Sequence, residues 1–462
     1  MNGNIRRGAR FCMAIGLVAG CVGLAGSPGA QTFEEALVMA YEGNPDLQAA
    51  RAALRTTNER IAQADGAWLP TVSSLFQAGA TYTHGENRAN RLKTRSYPLL
   101  GQLRVDQTIY DGGRRTARER VAINEIQAER ARLGAAEQQV LLDASAAYVN
   151  VLRDESVLAL RINNLERLEK QLQATRDRFA VGEVTRTDVA QAESRVARAQ
   201  ADRTRAEGDL VSSHMVFERV MGELPGTLTQ PDLPASWIPA SQEEAVATAL
   251  EGNFSLITTK FQARAANERV ADIEAELLPA AGLSATAQRA QNTNGSSDNS
   301  YNTAAVQLDL RVPIYRGGVV FSQVRAAKEE ANRRRIIVES YRRSAIEGAA
   351  RTYENLTTSL ARTESLVKEE ESARIALEGV EQEATVGART VLDVLDAEQA
   401  LLDAQVRRVQ SERDAFIAAL QLQFAMGRLT AQALDLPVTL YDVDRHFLEV
   451  RGRYIGTGLS PD

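Results

Sequence analysis

Asp393 and Asp396 are three residues apart, so a helix running through them carries both carboxylates on one face. Carboxylates gathered this way attract hard cations, which favour oxygen ligands. Near a helix start the same pair also reads as a solvated acidic face. Little else in the 462 residues offers chemistry. His84, His214 and His446 stand far apart, and none has a second ligand at metal spacing. His214 falls mid-helix and reads as a packing or surface residue. No Gly-rich phosphate loop follows a strand, and there is no nucleophile elbow. The sequence therefore reads as a non-enzyme with no cofactor and no structural metal. With 44% hydrophobic residues the chain is not disordered, and a net charge of −6 without a basic domain excludes nucleic acid as a partner.

The N-terminus carries an address. Arg6, Arg7 and Arg10 precede an uncharged stretch from Phe11 to Gly26, then small residues and Pro28, so residues 1–30 read as a signal peptide. Its removal takes three arginines and no acid, moving the net charge from −6 to −9. Cys12 and Cys21 leave with it, and the mature chain is free of thiol chemistry. A competing reading takes Val18-Ala19-Gly20-Cys21 as a lipoprotein box that lipidates Cys21. Beyond the signal, no stretch approaches the ~20 apolar residues of a spanning helix. The mature protein is then either soluble or a membrane β-barrel.

The remainder is duplicated. Residues 32–70 and 241–279 share fifteen identical positions at an offset of 209, among them Glu42-Gly43-Asn44 and Glu251-Gly252-Asn253. Further on the offset is 205: Tyr110-Asp111-Gly112-Gly113 matches Tyr315-Arg316-Gly317-Gly318, and Gly182 and Met221-Gly222 match Gly387 and Met426-Gly427. The expected organisation is a first repeat over 31–222, a Pro-rich linker over 223–240, a second repeat over 241–430 and a periplasmic C-terminal segment over 431–462. Each repeat reads as a helix (32–68 in the first), a β-hairpin, a long helix, a turn and a returning helix. Ala144, Val151, Leu158, Leu165, Leu172 and Phe179 recur every seven residues, as do Leu395, Leu402, Val409 and Phe416, which indicates coiled-coil packing. The 72 residues from Tyr110 to Gly182 make a rod of roughly 105 Å. Gly182 and Gly387 mark the hairpin tips, where glycine ends a helix with positive φ.

The β-hairpins fall at about 71–110 and 280–315. Leu103, Val105 and Ile109 alternate with polar residues, and Val306, Leu308, Leu310, Val312 and Ile314 do the same. Segments 85–97 and 291–301 are polar and read as exposed loops. Tyr110 and Tyr315 lie at one end of the strands, with Tyr82, Tyr97 and Tyr301 near the other, the aromatic belts of an outer-membrane barrel. Four strands do not close a barrel, for which about eight are needed. A homotrimer with twelve strands is the natural solution.

These features together resemble the TolC family of outer-membrane factors from Thr32 to about Leu429. The resemblance is carried by the Glu-Gly-Asn element, the Tyr-x-Gly-Gly strand exits and the tip motifs FAVGEVTRTDVAQAE (179–193) and ATVGARTVLDVLDAEQALLDA (384–404). It implies a mainly α chain with a membrane β-barrel part. Three copies would form a 12-stranded barrel in the outer membrane of a Gram-negative bacterium and a 12-helix periplasmic tunnel. It implies an exit duct for type I secretion or multidrug efflux, partnered by a periplasmic adaptor, an inner-membrane ABC or proton-driven transporter, and outer-membrane lipid. It also assigns Asp393 and Asp396 to the pore gate, where cations would block. Arg389, Asp188 and Thr187 become a latch between neighbouring coils, and Gly182 and Gly387 become adaptor-docking tips. Ala384 stands where well-known members have a latch tyrosine. Neither aspartate is asked to support the fold. The rival readings are a periplasmic adaptor, which would carry one hairpin between lipoyl-like halves, and a coiled-coil spacer, which leaves the amphipathic strands unexplained.

Overall fold

The computed structural model describes residues 31–87, 90–293 and 298–458. The expected signal over 1–30, with Cys12 and Cys21, lies outside the described residues.

The first helix expected over 32–68 is two helices, α1 (Phe33–Gly43) and α2 (Pro45–Gly66). Thr32 and Glu35 form a reciprocal cap at the start of α1. Pro45 has no N–H to extend α1 but suits the first position of a new helix. Asn44 stays extended between them, accepts from Asp46 N at 2.9 Å, and donates through Nδ2 to Val220 O at 3.1 Å. The second repeat breaks at Asn253, between α5 (Gln242–Gly252) and α6 (Phe254–Glu274), with no proline. Asn253 donates to Ala425 O at 3.2 Å. Each asparagine thus caps one helix and ties the break to the end of the repeat's own returning helix.

Those returning helices are α4 (Arg186–Met221) and α8 (Val391–Met426), 36 residues each. They fold back along α3 (Arg114–Ala180) and α7 (Val319–Thr385), 67 residues each and about 100 Å long. Ala144, Val151, Leu165, Leu395, Leu402 and Phe416 of the seven-residue pattern are buried, whereas Phe179 at the tip is exposed. The largest core sits where the repeats meet. Phe33 packs edge-on against Tyr148 and Phe416, and the Tyr148 hydroxyl lies 2.7 Å from Thr229 O in the linker. The C-terminal segment runs along this region to α9 (Arg445–Val450), whose Val450 packs with Ile61 and Ile126. Tyr441 N donates to the Tyr41 hydroxyl, and Arg130 pairs with Asp444 at 2.6 Å.

The sheet comprises β1 (Thr71–Ala78), β4 (Leu99–Tyr110), β5 (Ala280–Gln291) and β6 (Ser300–Arg311), antiparallel in the order β1-β4-β5-β6. Among the described residues, β2 (Thr81–Asn87) and β3 (Asn90–Ser96) pair only with each other. The loop expected over 85–97 is therefore largely a hairpin. Main-chain pairing carries no apolar signature in the sequence, and Thr81, Tyr82 and Thr83 favour strand. β5 runs to Gln291 and β6 starts at Ser300, which shortens the loop expected over 291–301; residues 294–297 lie outside the described ones. β6 stops before Val312 and Ile314 because Pro313 offers no ladder donor.

Register sorts the faces. Val72, Val105, Ala285 and Val306 are aligned across all four strands, so they project to one side. Leu103, Leu283, Leu308 and Leu310 share that side by strand alternation. The opposite side carries Ser73, Arg104, Thr286, Gln307 and Asp309. Tyr301 follows the polar parity, so it is not part of a belt on the apolar face. Arg115 joins sheet to helices: it is buried, lies over the Trp68 ring at 3.8 Å, and donates to the carbonyls of Ala67, Thr108 and Ile109.

The two helix ends capped by Gly222 and Gly427 differ in what surrounds them. Both glycines have positive φ, +92° and +79°. A Cβ on Gly222 meets nothing, whereas one on Gly427 strikes the backbone of Gly252. Gly222→Ala should cost about 1–2 kcal/mol from left-handed strain alone. Gly427→Ala should cost clearly more, because two helix ends must separate. Thermal unfolding of detergent-purified protein by circular dichroism checks this, and equal losses would contradict the close approach.

Candidate functional site

Both helical hairpins turn in the same way. α3 ends at Ala180 with Gly182 at φ +83°, whose N–H donates to Phe179 O while Glu183 N donates to Arg178 O. α7 ends with Gly387 at φ +78°, with matching bonds from Gly387 N to Ala384 O and Ala388 N to Glu383 O. Two nested bonds and a left-handed glycine terminate a helix while satisfying its last carbonyls. The next helix starts at once. Thr185 accepts from Asp188 N, and Asp188 Oδ2 accepts from Thr185 N at 2.8 Å. Thr390 and Asp393 repeat this at 2.9 Å. Each tip is therefore Val-Gly-x-x-Thr-x-x-Asp, a helix stop followed by a reciprocal start. Thr185 and Thr390 were not singled out in the sequence, although a threonine three residues before an aspartate and shortly after glycine is a legible start signal.

This corrects the reading that neither gate aspartate supports the fold. Asp393 is the capping partner at the start of α8 and the repeat counterpart of Asp188. Hydrogen bonds from the backbone N–H and hydroxyl of Thr390 hold its carboxyl below the usual range, and Thr185 does the same for Asp188. Asp396 has no such duty. Its counterpart at an offset of 205 is Gln191, so this carboxylate belongs to the second repeat alone. It pairs with Arg195 of α4 at 2.7 Å, a contact across 201 positions that no spacing announces.

Arg389 pairs within its own turn with Glu383 at 2.7 Å; inside one chain it bonds neither Asp188 nor Thr187. Thr187 is exposed, and Ala384 contributes a carbonyl to the turn. Gly182 and Gly387 are exposed at the hairpin ends. Just above, Leu395 packs against Leu165, Leu168 and Ala199, with Val196 and Val391 beside them, which fixes α8 against the first hairpin. Burial pushes the Glu398 carboxyl up, opposed by Arg167. Among the described residues no group of three or more His, Cys, Asp or Glu is placed to hold a metal ion, and no helix is long and apolar enough to cross a membrane.

A sheet with one apolar side, carried on two duplicated hairpins about 100 Å long, defines the class: an outer-membrane channel protein. The chain belongs to the family described as outer membrane efflux protein, which matches residues 36–223 and 245–428. It is 34% identical to the outer membrane efflux protein BepC of Brucella suis biovar 1 (strain 1330) over 92% of each chain. It is 26% identical to the outer membrane protein TolC of Vibrio cholerae serotype O1, over 87% of this chain and 92% of that one. The crystal structure of the Campylobacter jejuni CmeC outer membrane channel shares the fold, with a TM-score of 0.78 at 15% identity over 91% of this chain and 89% of that one. The family lies in the outer membrane of Gram-negative bacteria.

The caps make the tip sensitive to acid. For Asp188 and Asp393 the folded pKa lies below the ordinary 3.8, so their stabilisation is complete above that value and is lost as pH falls through the depressed one. Amide protection factors over 186–189 and 391–394 should stay level from neutral pH to about pH 4, then fall. Thr390→Ala should lower them at neutral pH by the equivalent of about 0.5–2 kcal/mol, and Thr390→Ser should restore them. Unchanged protection in Thr390→Ala would contradict the cap.

Proposed function

We propose that three copies of this chain assemble into an exit duct, the β1 edge of each pairing with the β6 edge of the next. Twelve strands then form the barrel and twelve helices the periplasmic tunnel. The observation that carries this reading is the open sheet. Val72, Val306, Leu308 and Leu310 are 66–73% exposed in the single chain, on the side of the sheet opposite Arg104 and Asp309. Such a band suits lipid outside and water within. The duct serves efflux, in keeping with the outer membrane efflux protein BepC to which the chain is similar, and multidrug efflux or type I protein secretion, as the TolC resemblance implies. A periplasmic adaptor engages the exposed tips at Gly182 and Gly387 and connects an inner-membrane transporter. No catalytic step is assigned to the chain.

The tip is the gate. Asp393 and Asp396 from three chains ring its narrow end, and the closed state is held when Arg389 exchanges Glu383 for Asp188 or Thr187 of a neighbouring coil. One exposed pair contributes little, and three-fold repetition multiplies it. Purified protein should crosslink as trimers in detergent and conduct in planar bilayers, with Arg389→Ser raising the conductance. Monomers alone, or no conductance, would overturn the duct; an unchanged conductance with intact trimers would remove the latch. Hexamminecobalt added on the tip side should block. Asp393→Asn combined with Asp396→Asn should relieve the block while keeping an acceptor oxygen for the cap.

A further inference from the structure

We propose that Arg195 sets the charge of the aperture, cancelling Asp396 so that Asp393 alone supplies the ring of negative charge that selects ions. The assignment rests on the reading that both aspartates face the pore. Arg195 reaches Asp396 Oδ1 at 2.7 Å, with side-chain exposures of 28% and 57%. The guanidinium is the more enclosed partner and the carboxylate the more open one. The pair is held in place by its neighbours in sequence: Val196 and Leu395 belong to the apolar cluster that joins α4, α3 and α8. It is therefore built into the packed coil.

The internal duplication gives a comparison within one molecule. The tips repeat the glycine stop and the Thr–Asp cap position by position, yet Asp396 corresponds to Gln191 and Arg195 to Ala400. Both members of the pair are thus additions to one arrangement, absent from the common hairpin plan. Around them, Arg389 pairs with Glu383, and Asp393 accepts from Thr390 through Oδ2. These five side chains carry two positive and three negative charges, which leaves one net negative charge per chain. Oppositely charged groups in hydrogen-bond contact act at the distance of a passing ion as a dipole, whose field fades within a Debye length of about 8 Å. A tip with two bare aspartates per chain would instead present six charges in the trimer.

A simple staple between α4 and α8 would have the same geometry, and ion selectivity separates the two roles. Reversal potentials in a salt gradient and titration with hexamminecobalt on the tip side are measured for wild type, Arg195→Gln, Arg195→Lys, Asp396→Asn and the double change Arg195→Gln with Asp396→Asn. Arg195→Gln should raise cation preference and bring half-block to about tenfold lower cobalt complex, the response of a trivalent ion to uncovered carboxylates in a wet pore. Arg195→Lys should behave as wild type. Asp396→Asn should shift preference the other way, because Arg195 is left unpaired, and the double change should return near wild type. If Arg195→Gln conducts with wild-type selectivity and block, or Asp396→Asn fails to reduce cation preference, Arg195 is only a staple. A wild-type protein that never conducts would overturn the duct itself, and this assignment with it.

Discussion

A four-stranded sheet leaves two rows of backbone donors and acceptors open, along β1 and along β6, and hydrocarbon offers them no partner. Within a membrane this is the dominant constraint, since each unsatisfied group costs several kcal/mol. The chain answers with a sheet whose sides already differ in polarity and with strands too few to close alone. Beyond the sheet the chain has two helical hairpins, a shared core around Phe33, Tyr148 and Phe416, and Arg115 joining the strands to α3.

The duplication supplies nearly equivalent parts, and a few positions depart from that equivalence. The long and returning helices match residue for residue in length, and both tips share one stop-and-start device. Against that background, Asp396 and Arg195 stand out as unrepeated. Arg115 is also unrepeated: its counterpart is Val320, so only the first repeat clamps its sheet with a buried guanidinium. Gly427 differs from Gly222 through the backbone of Gly252, which closes one helix junction more tightly than the other.

Much of this was legible in the sequence because it is periodic. Alternation along Leu103, Val105 and Ile109 reports a two-sided strand, and the seven-residue recurrence from Ala144 to Leu172 reports a coil, since both are repeated contacts with one kind of surface. Glu-Gly-Asn was visible as a repeated landmark but its purpose was not. The helix break and the bond from Asn44 to Val220 depend on a partner 176 residues away. The same limit hid Arg195, whose partner lies on another hairpin. The hairpin of β2 and β3 was missed for a different reason: its polar composition reads as loop, while main-chain pairing leaves no apolar signature. Asp393 was assigned to the gate through family resemblance, although its spacing from Thr390 already marked it as a cap.

In the proposed duct β1 of one chain pairs with β6 of the next. Within one chain these strands are three steps apart, roughly 14 Å, too far for a disulfide. The only natural cysteines, Cys12 and Cys21, precede the described residues. Cysteine placed at Val72 and, in turn, at Val306, Leu308 and Leu310 should, on oxidation in isolated outer membranes, give covalent dimers and trimers for at least one combination. Monomers throughout the series, from protein that reaches the outer membrane, would contradict this pairing.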